Sequence, residues 1–306
     1  MSDFFDELDR LYDEGDFNAV EAFILDAVDI SPDSSPEQAG FLNELAGFYR
    51  GVSRLDESEA TFNKSLGIFE NLGMEATEQY ATVLLNLAGL FRIKGEADKS
   101  IELFSDAKSK LETAGGRGGY AYISVLNNLA LALQETGSYD KALECAQEAL
   151  ELLRAINVND HAHEFDHEIA ASLNNIASIK LKTGEILAAD ILVSEALSIY
   201  ESMPDPDVHH SAALTTKAVI SYQSGDVQGA LDGFKRGLEL TRRFFGENIE
   251  YAICRRNIAD VYERLGNISQ AIEELSDAER VAYDILGEAH AMVKDIRAKL
   301  KQLKTL

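Results

Sequence analysis

The sequence predicts an all-α fold of the solenoid class, built from about seven antiparallel helix pairs and closed by one further helix near the C-terminus. Three features predict it: a small residue recurs at regular intervals, other small residues stand at fixed offsets from it, and large apolar residues lie between them at helical spacing. Each unit of such an array packs only on its neighbours, so residues 1–306 are expected to form a single superhelical domain.

The recurring small residue marks the corner between the two helices of a pair. Glycine suits such a tight turn because it has no Cβ. The corners are 38, 42, 42, 47, 41 and 41 residues apart, and they are Gly15, Ser53, Gly95, Gly137, Gly184, Gly225 and Gly266. They predict helix pairs at approximately 3–32, 38–72, 79–113, 120–155, 168–202, 209–244 and 250–285.

Small residues also recur before and after each corner. Alanine stands seven positions before it in six of the seven units, and Ala, Ser, Gly or Val stands five and twelve positions after it. Two helices must approach closely at such positions, because a larger side chain would push them apart. Between them, residues such as Leu84, Leu87 and Phe91 form the apolar face of an amphipathic helix.

The C-terminal segment 288–304 is predicted to be a capping helix. Its apolar residues follow one helical stripe and its basic residues cover the rest; the apolar ones are Met292, Val293, Ile296, Leu300 and Leu303. A solenoid needs a helix with a polar outer face to end its open core.

These patterns resemble the tetratricopeptide repeat, whose usual unit of about 34 residues carries small residues at its eighth and twentieth positions, Gly at the fifteenth and Ala at the twenty-seventh. The longer period of 41 or 42 residues is similar to that of the kinesin-light-chain type. The likeness is strongest at Leu126-Asn-Asn-Leu-Ala, at Leu173-Asn-Asn-Ile-Ala and at Gly246-Glu-Asn-Ile-Glu-Tyr-Ala. The resemblance implies a right-handed superhelix whose first helices line a concave groove.

In the resembling family the sixth position of each first helix, nine residues before the corner, points into that groove, and the fifth position lies beside it. Here these positions supply the candidate peptide-binding amides Asn86, Asn127, Asn128, Asn174, Asn175 and Asn257. An amide carries an acceptor and two donors, so it can pair with the backbone of an extended peptide. The same amides could instead bond between adjacent helices and only define their stacking. Both interpretations stay open.

Three cations fall at other groove positions by the same register: Arg50, Arg92 and Lys182. They could bind one acidic side chain of a ligand, or simply be solvated ends of long stems. The clamp with which the family holds chaperone tails is not expected, because Leu85 and Gly89 stand where it needs Lys and Asn.

The charge of the chain restricts its partners. Lys and Arg number 28 and Asp and Glu 53, which gives a net charge of −25. Phosphate binding requires a basic face, so neither nucleic acid nor an anionic membrane is an expected partner. A basic or mixed-charge protein segment is favoured, although acidic charge also serves solubility alone. Two free cysteines and the lack of a signal-peptide or membrane-spanning pattern predict a cytoplasmic location.

No motif for catalysis, a metal or a cofactor is recognised, so no enzyme, metal or cofactor is predicted. His161, His163 and His167 lie among carboxylates, but segment 157–167 is expected to be a solvated loop without a third ligand at standard spacing. His209 and His210 are expected in a linker.

The predicted function is a protein-interaction scaffold that binds an extended peptide or partner segment in the groove. One alternative is a self-assembling adaptor that joins oppositely charged ends, since residues 1–50 carry a net charge of −11 and residues 291–306 a net charge of +4. Another is a regulator that acts by sequestering a signalling partner.

Overall fold

The computed structural model describes residues 2–159, 165–203 and 208–305. Within these ranges the chain forms fifteen α-helices and no strand, which confirms the predicted all-α solenoid class. The chain divides into two compact units, Met1–Val125 and Leu126–Leu306. That residues 1–306 form one superhelical domain stays a prediction.

In the first unit the helices are α1 (Ser2–Glu14), α2 (Phe17–Ile30), α3 (Pro36–Gly51), α4 (Leu55–Asn71), α5 (Glu78–Ile93) and α6 (Ala97–Thr113). Helix α7 (Tyr120–Glu135) runs across the boundary. The second unit continues with α8 (Tyr139–Asn159), α9 (Asp166–Lys182), α10 (Ile186–Ser202), α11 (Val208–Ser224), α12 (Val227–Phe245), α13 (Ile249–Arg264), α14 (Ile268–Leu286) and α15 (Ala291–Leu303). Successive helices pack on each other from α1 to α6 in the first unit and from α8 to α15 in the second, and the first helices α3 and α5, and α9 and α11, also touch.

All seven predicted corners adopt the left-handed backbone conformation, with φ between 64° at Ser53 and 91° at Gly225. At Gly95 the following residue, Glu96, donates its N–H to the carbonyl of Phe91 at 2.9 Å, which closes the end of α5. Ser53 adopts this conformation despite its Cβ. The corner therefore depends on a backbone geometry that glycine supplies most cheaply.

The small positions lie where the paired helices approach each other. Ser58 and Ser100 are fully buried, and their hydroxyls donate to the carbonyls of Ala46 and Ala88 at 2.8 and 2.9 Å. At Gly237 an added Cβ would lie 3.1 Å from the Thr215 Oγ1. Each of these positions therefore joins the two helices of one pair at close range.

Helix α15 packs its apolar stripe onto the last helix pair. Val293, Ile296, Leu300 and Leu303 are buried in one cluster with residues of α13 and α14, whereas Lys294 and Lys301 are exposed. Its outer face is therefore polar, as a terminal helix requires.

Two local expectations are wrong at the residues that the structure describes, which leave out 160–164. Helix α8 continues to Asn159, so the predicted loop 157–167 begins as helix, and His167 lies in the first turn of α9. His209 and His210 lie in the first turn of α11 rather than in a linker, and the His210 side chain is buried. His161 and His163 lie outside the described residues.

Candidate functional site

The predicted site residues all lie on first helices. Asn86, Asn128, Asn175, Asn257, Arg50 and Arg92 are half-buried, whereas Asn174 is buried and Lys182 is exposed. Asn127 is also half-buried. They belong to α3 and α5 in the first unit, to α7 at its second-unit end, and to α9 and α13 in the second unit. We use "first-helix face" for the side of α9, α11 and α13 that carries the fifth and sixth positions.

In the first unit an amide joins two successive first helices. Asn86, at the sixth position of α5, donates from its Nδ2 to the Oδ1 of Asn43, at the fifth position of α3, at 3.0 Å. The Nδ2 of Asn43 in turn donates to the Oε1 of Glu44 at 3.1 Å. Burial raises the pKa of Glu44, while the Asn43 amide and the Arg50 charge oppose that rise. We call such a contact, from a sixth-position amide to the preceding fifth-position amide, an amide bridge.

The second unit contains the same type of amide bridge two helix pairs along, between α9 and α7. Asn175 on α9 approaches the Oδ1 of Asn127 on α7 with its Nδ2 at 3.5 Å, at the long end of the hydrogen-bonding range. Asn127 also exchanges hydrogen bonds with the Ser172 hydroxyl, donating at 2.9 Å and accepting at 3.1 Å. Asn86 and Asn127 therefore serve helix stacking, which is one of the two interpretations that the sequence left open.

The amide bridge is interrupted at α11. Its sixth position is Thr216, whose hydroxyl donates to the carbonyl of Ala212 in the same helix at 3.1 Å. Asn174, at the fifth position of α9, is only 8% exposed, and its enclosed Oδ1 has no hydrogen-bond partner among the described residues. Position 216 therefore lacks the amide that Asn86 supplies on α5, and the buried Asn174 Oδ1 stays unpaired.

Asn257 lies beyond α11 on the same first-helix face. Fifth-position residue Thr215 contacts the Cys254 Sγ at 3.6 Å, and burial raises the pKa of that thiol. Within the ranges that the structure describes, the half-buried Asn257 side chain makes no hydrogen bond. Asn174 and Asn257 therefore offer unused amide groups on the two first helices that flank α11.

The predicted cations have different surroundings. Arg50 reaches across Gly89 and donates from its Nη1 to the Asn86 carbonyl at 3.0 Å, so it fastens α3 to α5. Lys182 makes no ion pair with any described residue. Arg92 lies in the last turn of α5. Arg50 and Arg92 thus belong to the first unit and Lys182 to the second.

Sequence reasoning missed two polar side chains on the second unit's first helices. Ser172 is buried against Asn127, and Ser178 accepts from the Gln134 Nε2 at 2.8 Å. The Gln134 Oε1 is a second buried acceptor without a partner among the described residues. A single serine in an amphipathic helix carries no signal that distinguishes such a contact from an ordinary small core residue.

The described residues contain no group of three or more His, Cys, Asp or Glu side chains that could hold a metal ion. Among the described helices, none is long and apolar enough to cross a bilayer.

The sequence profile described as the tetratricopeptide repeat matches residues 37–113, 79–155, 121–202 and 209–284. This chain belongs to the tetratricopeptide repeat family. The predicted family is thereby confirmed, with matches over most of the chain. No curated protein was found to match this tetratricopeptide repeat chain.

Solved tetratricopeptide repeat structures share the fold at low sequence identity. NprR in complex with its cognate peptide NprX has a TM-score of 0.66 and 14% identity, over 98% of this chain and 86% of that one. A chain of the APC/C hetero-tetramer Cut9–Hcn1 has a TM-score of 0.62 and 18% identity over 97% of this chain. This chain spans only 48% of that one.

A third structure is BtubC (BKLC) from P. vanneervenii, with a TM-score of 0.57 and 17% identity over 76% of this chain and 93% of that one. These similarities establish the tetratricopeptide repeat fold alone.

Proposed function

We propose that this protein is an interaction scaffold that binds an extended peptide or partner segment on the first-helix face of α9, α11 and α13. Asn174 and Asn257 hydrogen-bond the backbone of that segment. The observation that carries the proposal is the buried Asn174 Oδ1, which has no partner among the described residues. This proposal keeps two of the predicted site residues as ligand contacts and assigns Asn86 and Asn127 to stacking.

An unpaired buried acceptor lowers the stability of the protein without its ligand. Leaving such a group unsatisfied costs about 1–3 kcal/mol, and a ligand N–H that reaches it recovers this cost. A peptide backbone supplies such donors at regular intervals. Asn257 provides an acceptor and two donors on the far side of α11, so the pair can hold both polar groups of an extended backbone.

The fold of NprR, solved in complex with its cognate peptide NprX, supports a peptide-binding role for this architecture. The tetratricopeptide repeat generally serves as an interaction scaffold, which supports a binding role rather than a catalytic one. At 14% identity that likeness extends to the fold and not to individual site residues.

The charge of the chain favours a basic or mixed-charge segment. At −25 the molecule attracts basic partners over the range of the Debye length, about 8–10 Å at physiological salt. Lys182, exposed at the end of α9, is available for one acidic side chain of a mixed-charge segment. Nucleic acid and membranes are not proposed as partners, and a cytoplasmic location stays a prediction.

The test is a selection with a displayed library of random-sequence peptides, followed by fluorescence anisotropy with the enriched peptides. The double variant Asn174→Ala/Asn257→Ala is expected to weaken binding about tenfold or more, the equivalent of roughly one or two hydrogen bonds.

Asn86→Ala is the matched control, because it removes an amide that is already engaged in an amide bridge. It should leave peptide affinity nearly unchanged. Equal affinities for the wild type and the double variant, or an equal loss in the control, would remove these two residues from the binding site.

A further inference from the structure

The second half of α12 carries a basic surface in an otherwise strongly acidic protein. Residues 233–245 contain four basic side chains and one acidic one, whereas the whole chain has 28 basic and 53 acidic residues. The four basic residues, Lys235, Arg236, Arg242 and Arg243, are all exposed. We call these four, with the adjoining Phe244 and Phe245, the α12 surface.

The cations of the α12 surface are poorly paired. The Arg242 side chain is 66% exposed, and among the described residues it pairs only with Glu247, at 4.0 Å. Arg236 and Arg243 form no ion pair with any residue that the structure describes, and Lys235 stands 5.5 Å from the centre of the Tyr262 ring. Most of their charge is therefore available to a partner.

Arg255, in the same unit, is paired with carboxylates, unlike the cations of the α12 surface. Arg255 is held between Glu274 at 2.7 Å and Asp277 at 2.9 Å, and it is largely buried with them. Its carboxylate partners fix its position and neutralise its charge, as in a structural ion-pair network. The α12 surface lacks such partners.

Helix electrostatics account for only part of this cluster. Arg242 and Arg243 lie in the last turn of α12, where cations stabilise the negative end of the helix dipole. That effect fades within one turn, and Lys235 and Arg236 lie more than two turns from the end at Phe245. The helix dipole therefore does not account for Lys235 and Arg236.

Aromatic side chains adjoin the cations. Phe244 and Phe245 are 37% and 41% exposed at the end of α12, and the Arg243 guanidinium lies 5.5 Å from the Phe244 ring centre. Exposed aromatic residues and arginines together are typical of the centres of protein interfaces. The surface therefore offers apolar contact area in addition to charge.

We propose that the α12 surface is a docking site for an acidic segment of a partner protein that also carries apolar side chains. The carboxylates would pair with Arg236, Arg242 and Arg243, and an apolar side chain would pack on the two phenylalanines. This site is separate from the first-helix face and does not depend on its role.

The short range of screened electrostatic interactions favours an acidic peptide over a long polyanion at this surface. A nucleic acid extends well beyond the Debye length of about 8–10 Å, so it meets the repulsion of the whole molecule at −25. A short acidic segment can place its few carboxylates within that distance of the four cations of the α12 surface. Complementary charge at such close range fixes the register and speeds association.

The test uses a labelled synthetic helical peptide with glutamates on one face and leucine and phenylalanine on the other, measured by fluorescence anisotropy on the intact protein. The wild type is expected to bind it at physiological salt, and Arg236→Glu/Arg243→Glu is expected to weaken binding at least about tenfold. The control Lys294→Glu/Lys301→Glu makes the same charge change on α15 and should leave affinity nearly unchanged.

Four results would overturn the proposal. They are no binding of the acidic peptide, equal binding when lysine replaces its glutamates, an equal loss in the α15 control, or tighter binding of a single-stranded oligonucleotide of the same length. Analytical ultracentrifugation of the protein alone tests whether a second copy of this chain occupies the α12 surface. A dimer that the Arg236→Glu/Arg243→Glu variant abolishes would assign the surface to a second copy instead.

Discussion

Asn86 donates a hydrogen bond from its Nδ2 to the Oδ1 of Asn43 across the contact between α5 and α3, at 3.0 Å. Asn175 approaches Asn127 in the same way between α9 and α7. The bridge needs Asn at the fifth position of one helix pair and at the sixth position of the next. Where the next pair carries Thr216 instead, Asn174 keeps an unused acceptor, and this difference separates the stacking role from the proposed binding role.

The first prediction concerns the bridging amides. Asn127→Ala should lower the free energy of unfolding by about 1–3 kcal/mol, because it leaves the buried Ser172 hydroxyl without its partner. Asn257→Ala should change it by less than about 0.5 kcal/mol, since no intramolecular bond is lost. Urea unfolding measures both. Equal losses in the two variants would mean that Asn257 also bridges helices.

The second prediction concerns two helix glycines in different surroundings. An added Cβ at Gly233 would lie 2.9 Å from the Ala218 Cβ, whereas at Gly47 it would meet nothing within 4 Å. Gly47→Ala should therefore stabilise the fold by up to about 1 kcal/mol through helix propensity. Gly233→Ala should destabilise it, because overpacking costs about 1–3 kcal/mol and exceeds that gain.

If the close approach of α11 and α12 requires glycine at position 233, thermal unfolding should show a higher melting temperature for Gly47→Ala and a lower one for Gly233→Ala. A rise in melting temperature for both variants would mean that the contact between α11 and α12 can relax around a methyl group.

The third prediction is a dependence on alkaline pH. Burial, reinforced by the hydrogen bond that the phenol donates to Glu70 at 3.0 Å, raises the pKa of Tyr80 to about 12. The unfolded value is about 10, so the neutral phenol is favoured in the folded state. Its stabilising contribution is complete below about pH 10 and is lost as the pH rises toward about 12.

Raising the pH from about 9 to about 12 should therefore lower the free energy of unfolding of the wild type more than that of Tyr80→Phe. Urea unfolding at a series of pH values measures both. The phenylalanine variant is a control because it keeps the ring and loses only the titrating group. The same decline in both proteins would mean that Tyr80 is not the group responsible.

Much of the fold could be predicted because its signals are local. A corner needs a left-handed residue and a close helix contact needs a small one, and each requirement acts on a single position. The unused Asn174 acceptor could not be predicted, because it depends on how fifth and sixth positions of successive pairs meet in space.

The most direct test of the binding account is Thr216→Asn, which supplies the missing sixth-position amide on α11. The new side chain is expected to donate a hydrogen bond to the Asn174 Oδ1 and to raise the free energy of unfolding by up to about 1 kcal/mol. Because it occupies that acceptor, it should also lower the affinity for the library-selected peptides at least several-fold. Thr216→Val removes the hydroxyl without adding an amide and should do neither. Unchanged or tighter peptide binding by a stabilised Thr216→Asn protein would contradict the assignment of Asn174 to the ligand.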